Sequence, residues 1–275
     1  MASIAGGLAR RANAATTASR RSRLVRERAR FIRREVRKRP VVGAYSLATS
    51  NGGAVFLRHD TLDTWTLEEV FGFQVYTLPL PVRGRLANLT RPPHVADLGA
   101  NIGLAALFFS RQLEDCTGTA YEPDEVNADL LARCLSANGL NDRWTIVRAC
   151  ASTTDGHVRF MTGHSAISCV SRMDSDIAID VPSRDVLGEL CRSDLAKIDI
   201  EGAEWQILTD PRFIRMAPTA LVLEYHPEGC PGDDPRRAVM DLLEGSGYQT
   251  LEVELPGTAN LPTGQGVMWA WRDRP

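Results

Sequence analysis

The sequence predicts an α/β fold built on a mostly parallel sheet, and three observations carry that expectation. Apolar strand patterns alternate with helical ones from residue 94 onward, in the order βαβαβ and then βαβα, which implies a parallel sheet covered on both faces. The first of these strands, His94–Leu98, runs through Asp97 into the turn Gly99-Ala100-Asn101-Ile102-Gly103 and on into an apolar helix. The second, Gly118–Tyr121, ends in Glu122, 25 residues after Asp97. Turn glycines let a backbone approach a ligand closely. A carboxylate at the tip of the second strand can accept both hydroxyl protons of a ribose. The expected fold is therefore a Rossmann-like sheet with a nucleoside site at its carboxyl edge.

Taken in order, the first element is a basic helix from Ser19 to Arg39, with Leu24, Val25, Phe31, Ile32 and Val36 forming an apolar stripe. Pro40 ends it. Residues 41–92 read as an α+β lead-in, with a strand at Ala54–Arg58, a helix pattern at Asp63–Phe71, and Pro79, Pro81, Pro92 and Pro93 as punctuation. Core strands are expected at 94–98, 118–122, 145–150, 195–200 and 220–226, and helices at 102–112, 124–138, 203–209 and 234–245. Two more strand patterns, Tyr248–Glu254 and Gly266–Arg272, close the chain as an antiparallel hairpin and bring the sheet to seven strands. The chain thus divides into an arm (1–40), a lead-in (41–92) and a nucleoside-binding domain (93–275). Residues 152–182 are polar, with strand-like runs at His157–Met161 and Ile177–Val181. They form an insertion between the third and fourth core strands, at the edge where open α/β sheets bind ligands. His164, Ser165 and Ser168 in it are candidates to line an acceptor pocket.

Composition narrows the class. A chain of 275 residues with 44% hydrophobic content can bury one full α/β core. No apolar run reaches the roughly 18 residues that a membrane span needs. The six cysteines include no Cys-x-x-Cys pair, which argues against a structural zinc site and a disulfide framework. A reducing cytoplasm is the expected compartment. Charge is lopsided. Residues 1–40 hold 12 arginines and Lys38 against Glu27 and Glu35, a surplus of 11 positive charges. The formal net charge is −2, so the rest of the chain carries −13. The basic arm has three readings. It packs its stripe on the acidic body or on a second copy in a homo-oligomer, it touches nucleic acid or an anionic membrane surface, or it is an organellar targeting segment.

The glycine turn discriminates between nucleosides. A dinucleotide fingerprint wants Gly-x-Gly-x-x-Gly, but Asn101 and Leu104 stand at the second and third glycine positions. A pyrophosphate needs those bare amides and would be repelled by Asp97. S-adenosyl-L-methionine carries a sulfonium and an amino group and no phosphate, so it suits this turn better. A strand-to-helix turn merely capped by Asp97 and Asn101 is the plainer alternative.

Three further motifs then act together. Asp194-Leu195-Ala196-Lys197-Ile198-Asp199-Ile200-Glu201-Gly202-Ala203-Glu204 runs from strand to helix with acids at the switch, Leu221–His226 is a buried strand ending in Glu224 and His226, and Tyr121-Glu122-Pro123 carries the ribose acid. With Asp97–Gly103, this set resembles the FkbM family of S-adenosylmethionine-dependent O-methyltransferases. That likeness spans about residues 54–272, extends to the segment from Arg58 through Glu69 and Tyr76, and is most specific at Lys197–Glu204. It implies a class I methyltransferase fold and methyl transfer to a hydroxyl of a small molecule, often a sugar or a polyketide-derived compound. No nucleic-acid partner is implied. An RNA-directed enzyme using the basic arm, and a non-catalytic nucleoside- or partner-binding module, remain the alternatives.

Methyl transfer requires an aligned acceptor oxygen and a group to take its proton. Asp199, Glu224 and His226 fall at the carboxyl ends of the fourth and fifth strands, and residues 224 and 226 of a strand share a face. His226 is expected as the base, oriented by Glu224 or Asp199, because histidine titrates near neutrality. A rival assignment gives Asp199, Glu201, Glu224 and His226 to a divalent cation; the reading adopted assigns no metal. Lys197 is expected to pair with a carboxylate such as Glu224. The expected cofactor contacts are Asp97, Gly99, Asn101, Gly103, Glu122, Cys150 and Tyr76.

Overall fold

Five adjacent parallel strands make up most of the main sheet in the computed structural model, which describes residues 15–37, 41–161, 178–254 and 264–273. The strands in chain order are β1 (Val42–Ser46), β2 (Ala54–Arg58), β3 (His94–Leu98), β4 (Thr117–Tyr121), β5 (Trp144–Val147), β6 (Cys150–Ser152), β7 (Gly156–Met161), β8 (Ala178–Asp185), β9 (Leu195–Ile198), β10 (Ala220–Tyr225), β11 (Gln249–Glu252) and β12 (Gly266–Trp271). The seven-stranded sheet has the order β11-β12-β10-β9-β3-β4-β5. Strands β10, β9, β3, β4 and β5 pair in parallel, while β12 is antiparallel to both β10 and β11. This is the Rossmann-like α/β architecture the sequence predicts, terminal hairpin included. The order reverses between β3 and β9, which opens a crevice beyond their carboxyl ends.

Alternation along the strands assigns each residue to a layer. Val95, Leu195 and Val222 pack on one face, with the lead-in and the helix Leu104–Gln112. Ala96, Ala196 and Leu223 pack on the other, with Trp205, Leu208 and Leu243. By the same alternation Asp97, Lys197 and Glu224 share the face of Val95, Leu195 and Val222. The polar groups at the carboxyl edge therefore lie under the lead-in.

Two local expectations are corrected. The third core strand was expected to run to residue 150, but β5 ends at Val147. The Glu122 amide caps it by donating to the Val147 carbonyl. Cys150 then opens a separate three-stranded sheet, β6-β8-β7, made largely by the insertion. The basic segment is not one helix either. Residues 15–22 are helical, a turn follows, and a second helix spans Arg28–Arg37. The break pairs with β1: Arg26 N–H donates to Ser46 O and Ala48 N–H to Leu24 O, both at 2.8 Å. Glu27 takes the Ser46 amide at 2.9 Å. Those tertiary bonds replace helical ones.

The arm's stripe is spent inside the chain. Val25 and Phe31 are fully buried in the core that contains the lead-in. Phe31 meets the rings of Tyr45 and His59 at 5.3 and 5.0 Å. Buried His59 joins Tyr45 Oη (2.6 Å) to the Glu35 carboxylate (2.8 Å). Arg20 and Arg21 both donate to Glu68, which opens the π-helix Glu68–Phe73. Val36 stays half exposed. Among the described residues no helix is long and apolar enough to cross a membrane.

Because Phe31 anchors the arm, Phe31→Ala should destabilise the chain by about 3–5 kcal/mol in denaturant unfolding. A cost below about 1 kcal/mol would mean that the arm rests on the surface without supporting the fold.

Candidate active site

The glycine turn is shaped by close contacts. Gly99 has φ +79°, and a Cβ there would sit 1.9 Å from the Asp199 carbonyl oxygen, so the turn rests directly on the end of β9. Gly103, at φ +85°, faces Leu131, whose Cδ1 would lie 2.5 Å from an added Cβ. Between them Asn101 adopts φ +48°, and its amide donates to Glu122 Oε2 at 2.7 Å. Glu122 also accepts from the Asp124 amide (2.9 Å) and from Asn127 Nδ2 (3.4 Å). Burial pushes its carboxyl up to about 7, against those hydrogen bonds.

Around this turn lies a cleft lined by Gly99, Asn101, Tyr121, Glu122, Pro123, Asn127, Cys150, Ala151, Phe160, Asp199, Ile200, Glu201 and Ala203. Among the described residues three carboxylates line it, and no lysine or arginine does. The structure thus brings four of the expected cofactor residues, Gly99, Asn101, Glu122 and Cys150, to one cavity. The other three stand behind it. Gly103 packs the turn on its neighbouring helix. Tyr76 packs on Phe109 at 5.8 Å between centroids. Burial, then the charges of Asp199, Glu224, Glu69 and Asp97, hold its hydroxyl well above the usual range.

Asp97 is fully buried, and neither carboxylate oxygen has a hydrogen-bond partner among the described residues. Burial pushes its carboxyl up, against the nearby Lys197 charge. Lys197 Nζ lies 3.6 Å from Asp97 and 3.2 Å from Asp199, and donates to the Gly99 carbonyl at 2.6 Å. It pairs with carboxylates as expected, those of Asp97 and Asp199 rather than Glu224. Burial works against the ammonium, but those two carboxylates hold it charged above its ordinary range. A buried Asn101 Oδ1 is likewise without a partner among the described residues.

Beside the cleft, Asp199, Glu224 and His226 do converge. His226 Nδ1 lies 3.2 Å from Glu204 Oε1, and its amide donates to the same oxygen at 2.8 Å. Its Nε2 stands 3.5 Å from Glu201 and 4.0 Å from Glu224. Burial disfavours charge on the ring, yet Glu204, with Asp199 and Glu224, carries it up to about 10. The surrounding acids thus raise the proton affinity of His226 above the ordinary histidine range. Burial, then Asp199, pushes Glu201 and Glu224 up to about 8 and Glu69 up to about 7.

Sequence reasoning did not single out Glu204, Gln265 or Glu69 as parts of this site. Glu204 stands inside the Lys197–Glu204 motif, so its position was a usable signal. Gln265 and Glu69 arrive from elements distant in sequence, and no local pattern marks them. Glu201 was considered only as a metal ligand, yet it lines the cleft in a left-handed conformation, φ +54°. Such backbone strain in a non-glycine residue clusters at functional sites. His164, Ser165 and Ser168 lie outside the described residues.

No family model matches the chain. Over 205 residues it is 28% identical to a curated protein named Methyltransferase sdnD, from Sordaria araneosa, spanning 59% of this chain and 76% of that one. Solved structures similar to it include methyltransferase FkbM from Methylobacillus flagellatus KT, with a TM-score of 0.46 and 16% identity over 76% of this chain and 54% of the other. Another is TYW2 from M. jannaschii in complex with AdoMet, with a TM-score of 0.45 and 12% identity over 86% and 88%.

The contact between Gly99 and β9 yields a direct comparison. Gly99→Ala should cost about 1–3 kcal/mol of strain, whereas Gly84→Ala, in a helix with nothing within 4 Å of the new methyl, should be neutral or mildly stabilising. Equal unfolding midpoints for the two variants would refute the close approach.

Proposed function

We propose that the chain is an S-adenosylmethionine-dependent methyltransferase acting on a hydroxyl group of a small molecule. The observation that carries this reading is a cleft at the carboxyl edge of the sheet that, among the described residues, is lined by three carboxylates and by no lysine or arginine. Such a lining suits a positively charged, phosphate-free nucleoside and disfavours a pyrophosphate. The oxygen of Asn101, which has no hydrogen-bond partner among the described residues, and buried Asp97, which has only the Lys197 ion pair, support it further, since buried acceptors are normally satisfied and the amino end of the cofactor supplies donors. Glu122 takes the ribose hydroxyls, with Cys150, Ala151 and Phe160 beside the base. When bound, the cofactor supplies an electrophilic methyl group.

The chain's own task is then to orient the acceptor oxygen and remove its proton. The cluster of Asp199, Glu201, Glu224 and His226 provides the polar surface for this. Glu201, which lines the cleft where His226 does not, is the residue we assign as proton acceptor. Its raised affinity for protons suits a base.

Two measurements test this reading. Glu122→Ala should weaken S-adenosylhomocysteine binding in calorimetry by about 1.5–3 kcal/mol, the worth of hydrogen bonds to a charged group; unchanged affinity, or tighter binding of a dinucleotide, would contradict it. Glu201→Gln should lower turnover by about 10²–10⁴-fold with cofactor affinity retained. Since Glu201 must be deprotonated to act, the wild-type rate should rise with pH through about 8 and level off above it. A variant that keeps that limb would show that the base lies elsewhere.

A further inference from the structure

We propose that Asp199, Glu224 and His226 form a binding site for one divalent cation of the Mg²⁺ or Mn²⁺ type. One ligand atom from each of the three lies within 4.8 Å of the others, a separation that a central ion with bonds of about 2.0–2.5 Å spans. The fold brings them together. β9 and β10 are parallel, with Leu223 paired to Ile198, so the next step along the pair sets Glu224 beside Asp199, and His226 follows at the strand end. Two carboxylates and one imidazole make a mixed donor set of the kind that hard to borderline divalent ions accept.

An independent feature points the same way. Glu204 is fully buried and takes the His226 amide and Nδ1, together with the Gly202 amide at 2.8 Å. A carboxylate behind one ring nitrogen is the arrangement that orients metal-binding histidines. It leaves Nε2 turned toward Glu224 and Glu201, at separations too long for hydrogen bonds. Gln265 Nε2 lies 2.5 Å from Glu224 Oε1 and 3.2 Å from His226 Nε2. A cation there displaces the proton that His226 otherwise carries and gives an oxygen-bearing acceptor a Lewis-acidic seat.

The cation site shares Asp199 with the cofactor cleft, and the test keeps the two readings distinct. The full chain is titrated with Mn²⁺ alone, followed by calorimetry and by the spin-resonance signal of the free ion, and S-adenosylhomocysteine binding is measured on the same samples. The expected result is about one Mn²⁺ per chain, with affinity at least tenfold weaker in Glu224→Gln, a near-isosteric change. Glu204→Gln should weaken it by about 10–100-fold, as loss of an orienting partner does, although Glu204 is not a ligand. Wild-type protein that binds no Mn²⁺ at millimolar concentration would overturn the proposal. So would binding that both variants leave intact. Loss of S-adenosylhomocysteine binding alone would instead count against the cofactor reading.

Discussion

One buried ammonium holds the carboxyl edge of this sheet together. Lys197 is nearly inaccessible, and a buried charge is tolerated only when paired and hydrogen-bonded. Its partners are the Gly99 carbonyl, Asp199 and Asp97. They belong to the two strands that meet where the sheet order reverses. A single side chain thereby fixes the glycine turn on one side and the first residue of the acid cluster on the other. The geometry of the cleft depends on that joint. Removing the ammonium would leave fully buried Asp97 without its cation and beside the like charge of Asp199, which is the costly way to break a buried pair.

The layer structure explains why the acids can gather there. The strands place Asp97, Lys197 and Glu224 on the face covered by the lead-in, in register with apolar residues one step back along each strand. The lead-in shields the cluster from water, and burial is the largest influence raising Glu69, Glu201 and Glu224. The arm supports that cover. Arg20 and Arg21 hold Glu68, the first residue of the π-helix that carries Glu69. A basic segment that looked like an appendage is thus connected to the site by two residues of chain.

Much of this could be read from local pattern. The turn from Asp97 to Gly103 and the acid at Glu122 are short-range signals, because a strand, a tight turn and a helix leave their marks within a few residues. The periodicities of β3, β4, β9 and β10 placed the main sheet and its closing hairpin for the same reason. What escaped were features set by long-range contacts. The arm's helix breaks at residues 23–27 because Ser46 and Ala48, about twenty residues on, compete for its hydrogen bonds. β5 stops at Val147 because the chain turns there, with the Ala149 amide donating to the Val147 carbonyl, and Cys150 pairs with Ser183 of the second sheet. The proton affinity of His226 could not be read from its neighbours in sequence, since Glu204 lies 22 residues away.

The most direct test is an experimental structure of the chain with S-adenosylhomocysteine bound. The expected result has the ribose hydroxyls on Glu122, the amino group facing Asn101 and Asp97, and the sulfur turned toward Asp199, Glu201 and Glu224. A nucleoside bound away from Glu122, or a sulfur turned away from those carboxylates, would contradict the assignment of this cleft and of the acid cluster beside it.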